Sequence, residues 1–254
     1  MIKTIFDLSL SLSKLLLKNK LSFVASVFVV LLLGSFIAHN FYTNLKNKLL
    51  LDFLIFGGAF VLHISSLFFA MTLSQKYQED FYGSPYISEA KPHEYLISIF
   101  YALFLATFAI SCALFLIFEI VGILYDIKNQ SDLILQLWLQ VLSATLLSYI
   151  LFTLALFMEQ ITAIFFAILS MAIGFGLNDA YLYFDGKDFE LLFKFFYSTL
   201  PNFSFFDISS TISNKTDIDR IKVFFYSLVY CKLYSLLTLG IALKKFNNAP
   251  NSSN

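Results

Sequence analysis

Residues 96–124 read LISIFYALFLATFAISCALFLIFEIVGIL, a run whose single charge is Glu119. A helix that crosses the hydrocarbon core of a bilayer needs roughly 20 mostly apolar residues, and this run exceeds that. A surface helix of a soluble domain keeps one polar face; this one has none. The run therefore reads as a membrane span. Working outward, five more apolar runs appear: Ser22–His39, Phe53–Ser74, Leu133–Met158, Ile161–Leu177 and Val223–Leu243. The pattern predicts an all-α integral membrane protein with six transmembrane helices. They form one domain over residues 1–245, and the polar tail 246–254 (FNNAPNSSN) is expected to be disordered.

Composition agrees. The 254 residues are 59% hydrophobic and 13% charged, against about 25% charged in a typical soluble domain. The 32 Phe exceed what a soluble core of this size can hide. Net charge is zero, so no basic field points to nucleic acid; membrane lipid is the expected surrounding. Cys112 and Cys231 each lie in an apolar run and read as small buried hydrophobes, not as a disulfide or metal pair. No small-residue cleavage site follows the first apolar run, so that span is expected to act as an uncleaved signal anchor.

The N-terminus is patterned differently. Lys3, Asp7, Ser11, Lys14 and Lys18 recur at steps of three or four, with Ile5, Phe6, Leu8, Leu12, Leu15 and Leu16 on the other side. This predicts an amphipathic helix over residues 1–20, lying in the membrane interface. The alternation DLSLSLS also fits a strand, but a lone strand beside a membrane has no backbone partner. Loop lysines and arginines divide eight against eight between the two sides. The four lysines before the first span, with Lys244 and Lys245 ending the last, then favour cytoplasmic termini. Residues 75–95 become cytoplasmic. Residues 178–222 become extracytoplasmic and include FELLFKFFYSTL, a candidate interfacial or re-entrant helix.

No HExxH, CxxC, GxSxG or GxxxxGK[ST] occurs, and His39, His63 and His93 fall in separate parts of the chain. No catalytic, cofactor-binding or metal-ligating residue is assigned. The intramembrane polar residues are His63, Glu119 and Lys232. Lys232 sits near the middle of span six, where a lysine costs about 2.5–3.5 kcal/mol. Glu119 and His63 are the candidates to pair with it. Such a pair is either a polar path or a structural ion pair; otherwise the lysine snorkels. Gln136 and Gln140 are expected to bond neighbouring helices, and Gly174 and Gly176 to allow close packing or a kink.

Two segments stand apart. In SQKYQEDFYGSPYISEAKPHEYLISIF, Ser74–Phe100, residues Gln75–Tyr82 can extend span two until Gly83 and Pro85 break it. Ser88–Tyr95 can form a second short turn leading into span three. Its expected surface carries Glu79, Asp80, Glu89, Lys91, His93 and Glu94. In LPNFSFFDISS, Leu200–Ser210, Pro201 sets a turn, and Phe203, Phe205 and Phe206 can sit in the outer headgroup region as aromatic anchors.

In this order the features resemble the ABC type-2 permease family, the membrane subunits of many bacterial ABC exporters. Glu79, Asp80, Ser88, Pro92, Glu94, Tyr95 and Leu96 stand in comparable roles to that family's segment between spans two and three. Pro201, Asn202 and Phe203 resemble its Leu-Pro-Asn-aromatic turn. The likeness covers nearly the whole chain in layout and about thirty residues in detail. His93 stands near where the family usually has Arg, Ile97–Ser98 replace its Gly-Lys, and the spacing from Ser88 to Tyr95 differs.

The resemblance implies a multi-pass protein of the bacterial inner membrane. Its coupling helix would include Glu79, Asp80, Ser88, Glu89, Lys91, Pro92, His93, Glu94 and Tyr95, docked on a separate ABC ATPase subunit. ATP would be bound by that partner, the N-terminal helix would touch it too, and the permease would pair with a second copy or a related chain. Two alternatives come from other classes. One is a membrane scaffold or assembly subunit. The other is a secondary transporter, which Lys232 and Glu119 favour and the lack of an internal repeat disfavours.

Overall fold

Hydrocarbon offers no water to backbone N–H and C=O groups, so an apolar run of bilayer length satisfies them within itself as a helix. The computed structural model of the chain describes residues 3–18, 34, 46–83, 92–124, 130–184, 186, 190–207 and 220–247, with no strand among them. Helix α1 occupies residues 3–18. It is followed by α2 (Lys46–Gly83), α3 (Pro92–Leu124), α4 (Gln130–Ala155), α5 (Gln160–Phe184), the short α6 (Glu190–Thr199), a 3₁₀ turn (Phe203–Phe206) and α7 (Arg220–Asn247).

Five stretches are long and apolar enough to cross a membrane: Asp52–Gln78, His93–Leu124, Leu133–Ala155, Gln160–Leu177 and Ile221–Lys245. They are the make-up of a multi-pass membrane protein. The span expected over Ser22–His39 lies outside the described residues, as does the tail beyond residue 247.

Local chemistry sets the boundaries. Pro92 opens α3, where its missing N–H costs no helical bond. The fourth span ends at Ala155, earlier than the sequence suggests, because residues 156–159 form a tight turn. There the Phe157 N–H donates to Leu154 O at 2.9 Å, and the Ala163 N–H, donating to Glu159 O at 2.9 Å, starts the next helix. Such a turn makes α4 and α5 antiparallel neighbours.

Helix α4 is the hub. It packs on α2, α3, α5 and α7. Of its most apolar stretch 83% is buried, against 22% for α5 and 22% for α7. Its small polar residues tolerate this because they bond their own helix: Ser148 Oγ to Thr145 O at 2.7 Å and Thr153 Oγ1 to Tyr149 O at 2.8 Å.

The bundle has two distinct ends. At the first, Tyr77 of α2 stacks on Tyr95 of α3 with ring centroids 6.0 Å apart. Gln78 Nε2 donates to Ala155 O at 3.1 Å, and Ser98 Oγ donates to Ile5 O at 3.3 Å, which brings in α1. Lys245 near the end of α7 lies over the Phe157 ring at 5.1 Å. Helix α1 and the last turn of α7 therefore share one end.

Helix α1 is amphipathic, but its buried stripe is not quite the expected one. Ser9, Leu12, Ser13 and Leu16 face inward, while Phe6 is exposed. The two serines lose nothing by burial, since their hydroxyls bond Ile5 O at 2.6 Å and Leu10 O at 2.9 Å.

At the second end the Pro201 turn departs from the aromatic-anchor reading. Phe203 and Phe206 are fully buried and only Phe205 is exposed. Asn202 Oδ1 accepts the Ser204 N–H at 3.1 Å, and the Asn202 N–H donates to Tyr230 Oη at 2.5 Å. Tyr234 Oη donates to Leu200 O at 2.9 Å. Two tyrosines of α7 thus satisfy a backbone that would otherwise need water, and the turn becomes a plug. It seats on Gly174, where a Cβ would strike Pro201 O and lie 2.6 Å from Phe203 Cδ2. At Gly176 a Cβ would meet nothing within 4 Å.

The two glycines are thus separable. Gly174→Val should destabilise the protein by about 1–3 kcal/mol through overpacking. Gly176→Ala should be neutral or gain up to about 1 kcal/mol of helix propensity. Thermal unfolding of the purified protein in detergent checks both, and equal midpoints would mean the turn is not seated on α5.

Candidate functional site

Three polar places interrupt the apolar bundle. The first is the end where α1, α2 and α3 meet. Glu79 and Asp80 belong to the last turns of α2, and Pro92 is the first residue of α3. Ser88, Glu89 and Lys91 lie outside the described residues. His93 is exposed, but Glu94 and Tyr95 are buried. Glu94 was expected on the exposed surface; the ring packing explains why it is not. Tyr77 stacks on Tyr95 and meets Phe152 of α4 edge-on at 5.9 Å, which draws the first turn of α3 into the bundle. There the carboxylate sits at the positive end of the helix dipole. Gln75 of α2 reaches Gln160 of α5 at 2.9 Å, so both helices are tied at this end.

The second place is a seam between α2 and α4. His63 Nδ1 lies 2.7 Å from Ala59 O, and its Nε2 lies 2.9 Å from Ser143 Oγ. A carbonyl only accepts, so Nδ1 carries the proton and Nε2 accepts from the Ser143 hydroxyl. The neutral imidazole is then fully used. Nearby, Gln140 Nε2 donates to Ile55 O at 2.9 Å, bonding the neighbouring helix. Gln136 Nε2 reaches Asp207 Oδ1 at 3.4 Å instead. These residues border a cavity of about 350 Å³ that extends to α5. Gln140 Oε1 is buried there without a partner.

The third place is a cavity of about 340 Å³ lined by α3, α4 and α7 and open on one side. Phe100, Phe104, Leu142 and Leu228 supply apolar wall, while Thr145 and Lys232 are polar. Lys232 is exposed. The expected pairing of Lys232 with Glu119 or His63 does not form. His63 is committed to Ser143. Glu119 is half-buried near the far end of α3, whereas Lys232 is level with the middle of α4, since Cys231 Sγ next to it approaches Leu142 O at 3.6 Å. The ion pair found among the described residues joins Lys194 and Glu190 of α6. There Lys194, with the Gly186 N–H, holds the partly exposed Glu190 carboxyl below its usual range.

Pro201, Asn202 and Phe203 belong to the buried plug and meet none of these places directly except through Gln136 and Asp207. Cys231 is buried, and Cys112, against expectation, is exposed. Ser143, Thr145 and Trp138 carry no sequence signal, because one polar atom in an apolar run looks alike whether or not it has a partner.

The chain matches no protein-family model, no curated protein and no solved structure.

The His63–Ser143 bond is testable as a coupling. A double-mutant cycle of His63→Ala and Ser143→Ala should give an interaction energy of about 0.6–1.7 kcal/mol, the range for interhelical hydrogen bonds in membranes. Additive losses in chemical unfolding would mean that the two side chains do not meet.

Proposed function

We propose that the protein is the membrane-spanning permease subunit of an ATP-driven ABC exporter in the bacterial inner membrane, with both termini cytoplasmic. On this reading Ser22–His39 forms a sixth crossing, and residues 75–95 couple the spans to a separate ATPase subunit. The observation that carries it is the junction at one end of the bundle. Helix α1, the last turns of α2 and the first turn of α3 meet there, joined by the Tyr77–Tyr95 stack and the Ser98–Ile5 bond. A partner pressing on this end moves two apolar helices at once, because side-chain packing holds both.

The division of labour follows from the residues. The chain has no phosphate-binding loop, so ATP binds to the partner. Charges at Glu79, Asp80 and His93 select that partner, and the rigid junction transmits its closure. Helix α4 contacts α2, α3, α5 and α7 and carries the motion across the bundle. Two such permeases, related by symmetry or by common ancestry, rock against each other and alternate access between the sides.

The test is co-purification in mild detergent with mass spectrometry of what is retained. The wild-type chain should bring down a soluble protein containing GxxxxGK[ST]. A triple variant, Glu79→Lys, Asp80→Lys and His93→Glu, should lose it by about tenfold or more, the size of a lost charge-complementary contact, with its elution profile unchanged. Glu94 is left alone because it is buried. A well-folded wild-type chain that retains no ATPase would overturn the permease reading and leave the scaffold reading.

A further inference from the structure

We infer that the α3–α4–α7 cavity is a binding site for an amphiphilic anion, a molecule with one carboxylate- or phosphate-type head and an apolar tail. The starting point is Lys232. At a rise of roughly 1.5 Å per residue it stands about 17 Å from Ile221 and about 20 Å from Lys245 along α7. Both ends are too far for its side chain to reach a headgroup layer by snorkelling. It is nevertheless exposed, and among the described residues no carboxylate pairs with it. An ammonium held in hydrocarbon needs an anion or water beside it.

Two further groups give the site its polarity. Thr145 is 2% exposed and lines the same cavity, and its Oγ1 has no hydrogen-bond partner. Trp138 also lines it, and its Nε1 is buried without a partner. Indole N–H and ammonium only donate, and a threonine hydroxyl is free to donate. Two of the three groups therefore only donate and the third can, a set that an anion satisfies better than a cation. Neighbouring serines and threonines of these helices are mostly closed onto their own backbone, as Ser235 Oγ is onto Cys231 O at 2.7 Å. Thr145 Oγ1 is an exception among the serine and threonine hydroxyls of α4, since Ser143, Ser148 and Thr153 each make a bond.

The rest of the wall is aromatic and aliphatic, which suits a tail and not a small hydrophilic ion. Tyr101, Lys232 and Leu236 are exposed members of the lining and mark its open side. An amphiphile can enter there laterally, head to Lys232 and tail along Phe100 and Phe104. As a substrate site the cavity rests on the permease reading; as a binding site it does not.

Trp138 is the sole tryptophan; it lines this cavity and a neighbouring one between α3 and α4, so dependence on Lys232 tells which of the two is filled. The full-length protein is reconstituted in discs of phosphatidylcholine and titrated with dibromostearate, whose bromines quench indole on contact. Saturable quenching is expected, with the uncharged methyl ester about tenfold weaker or non-saturating. Lys232→Met should weaken the carboxylate about tenfold or more and leave the ester unchanged, as expected for loss of one charged hydrogen bond. Discs containing dibrominated phosphatidylglycerol, compared with dibrominated phosphatidylcholine, show whether a bilayer lipid or a free acid is the better occupant; preference for either anion supports the site.

Equal quenching by acid and ester, or quenching indifferent to Lys232→Met, overturns it. The acid–ester comparison on wild-type protein decides even if the variant fails to fold. Because the titration contains no ATPase, a failure here leaves the co-purification result standing, and a missing ATPase leaves the binding result standing.

Discussion

The governing constraint is the absence of water inside the bundle. A polar atom within a span finds its partner in protein or goes without, and most described hydroxyls find one, with Ser65 and Thr145 as exceptions. Thr107 bonds Leu103 O at 2.9 Å, Ser111 bonds Phe108 O at 2.7 Å and Ser170 bonds Ala167 O at 2.8 Å, each within its own helix. Larger groups that cannot fold back reach across instead. Tyr149 Oη crosses from α4 to Phe100 O at 2.9 Å, and Gln140 crosses to α2. The bonds that cross between helices fix their relative heights, which van der Waals contact between apolar faces alone leaves loosely set.

The same constraint turns a loop into core. Residues 200–207 lack a helix long enough to satisfy their own backbone, and a headgroup position would have left them to water. The hydroxyls of Tyr230 and Tyr234 supply the bonds, so Phe203 and Phe206 bury against α5 and α7. One glycine decides whether that is possible. Gly174 gives the Pro201 carbonyl room at the helix surface, while Gly176, two residues on and facing away, has no such duty.

Much of this was legible in the sequence. Apolar length alone located the five described spans within a few residues. Periodicity found the helix over residues 3–18 but misplaced Phe6, because two serines that bond their own backbone are as acceptable inside as leucine. Partnership was not legible. Charge complementarity joined Lys232 to Glu119 on paper, yet the two lie at different heights, and His63 prefers a serine that no motif marks. Glu94 looked like surface because it is charged; the tyrosine stack beside it decided otherwise. Sequence reports which residues tolerate hydrocarbon, whereas heights and facing pairs emerge only once the helices pack.

Lys232 is the charged group in mid-span for which satisfaction among the described residues stops. A lysine in mid-span makes insertion of its helix about 2.5–3.5 kcal/mol less favourable, and α7 has only modest apolarity to set against it, with a mean hydropathy of 1.4 for its stretch against 2.4 for that of α3. A structural role would offset that cost with a buried partner, as His63 has, and Lys232 has none among the described residues. Replacing it by any apolar residue would make α7 a better span and cost the fold no bond. A group that burdens insertion and contributes nothing to packing is explained by what comes to it from outside. The ammonium itself and the unpartnered indole N–H of Trp138 on the same cavity wall only donate, which favours a negative visitor.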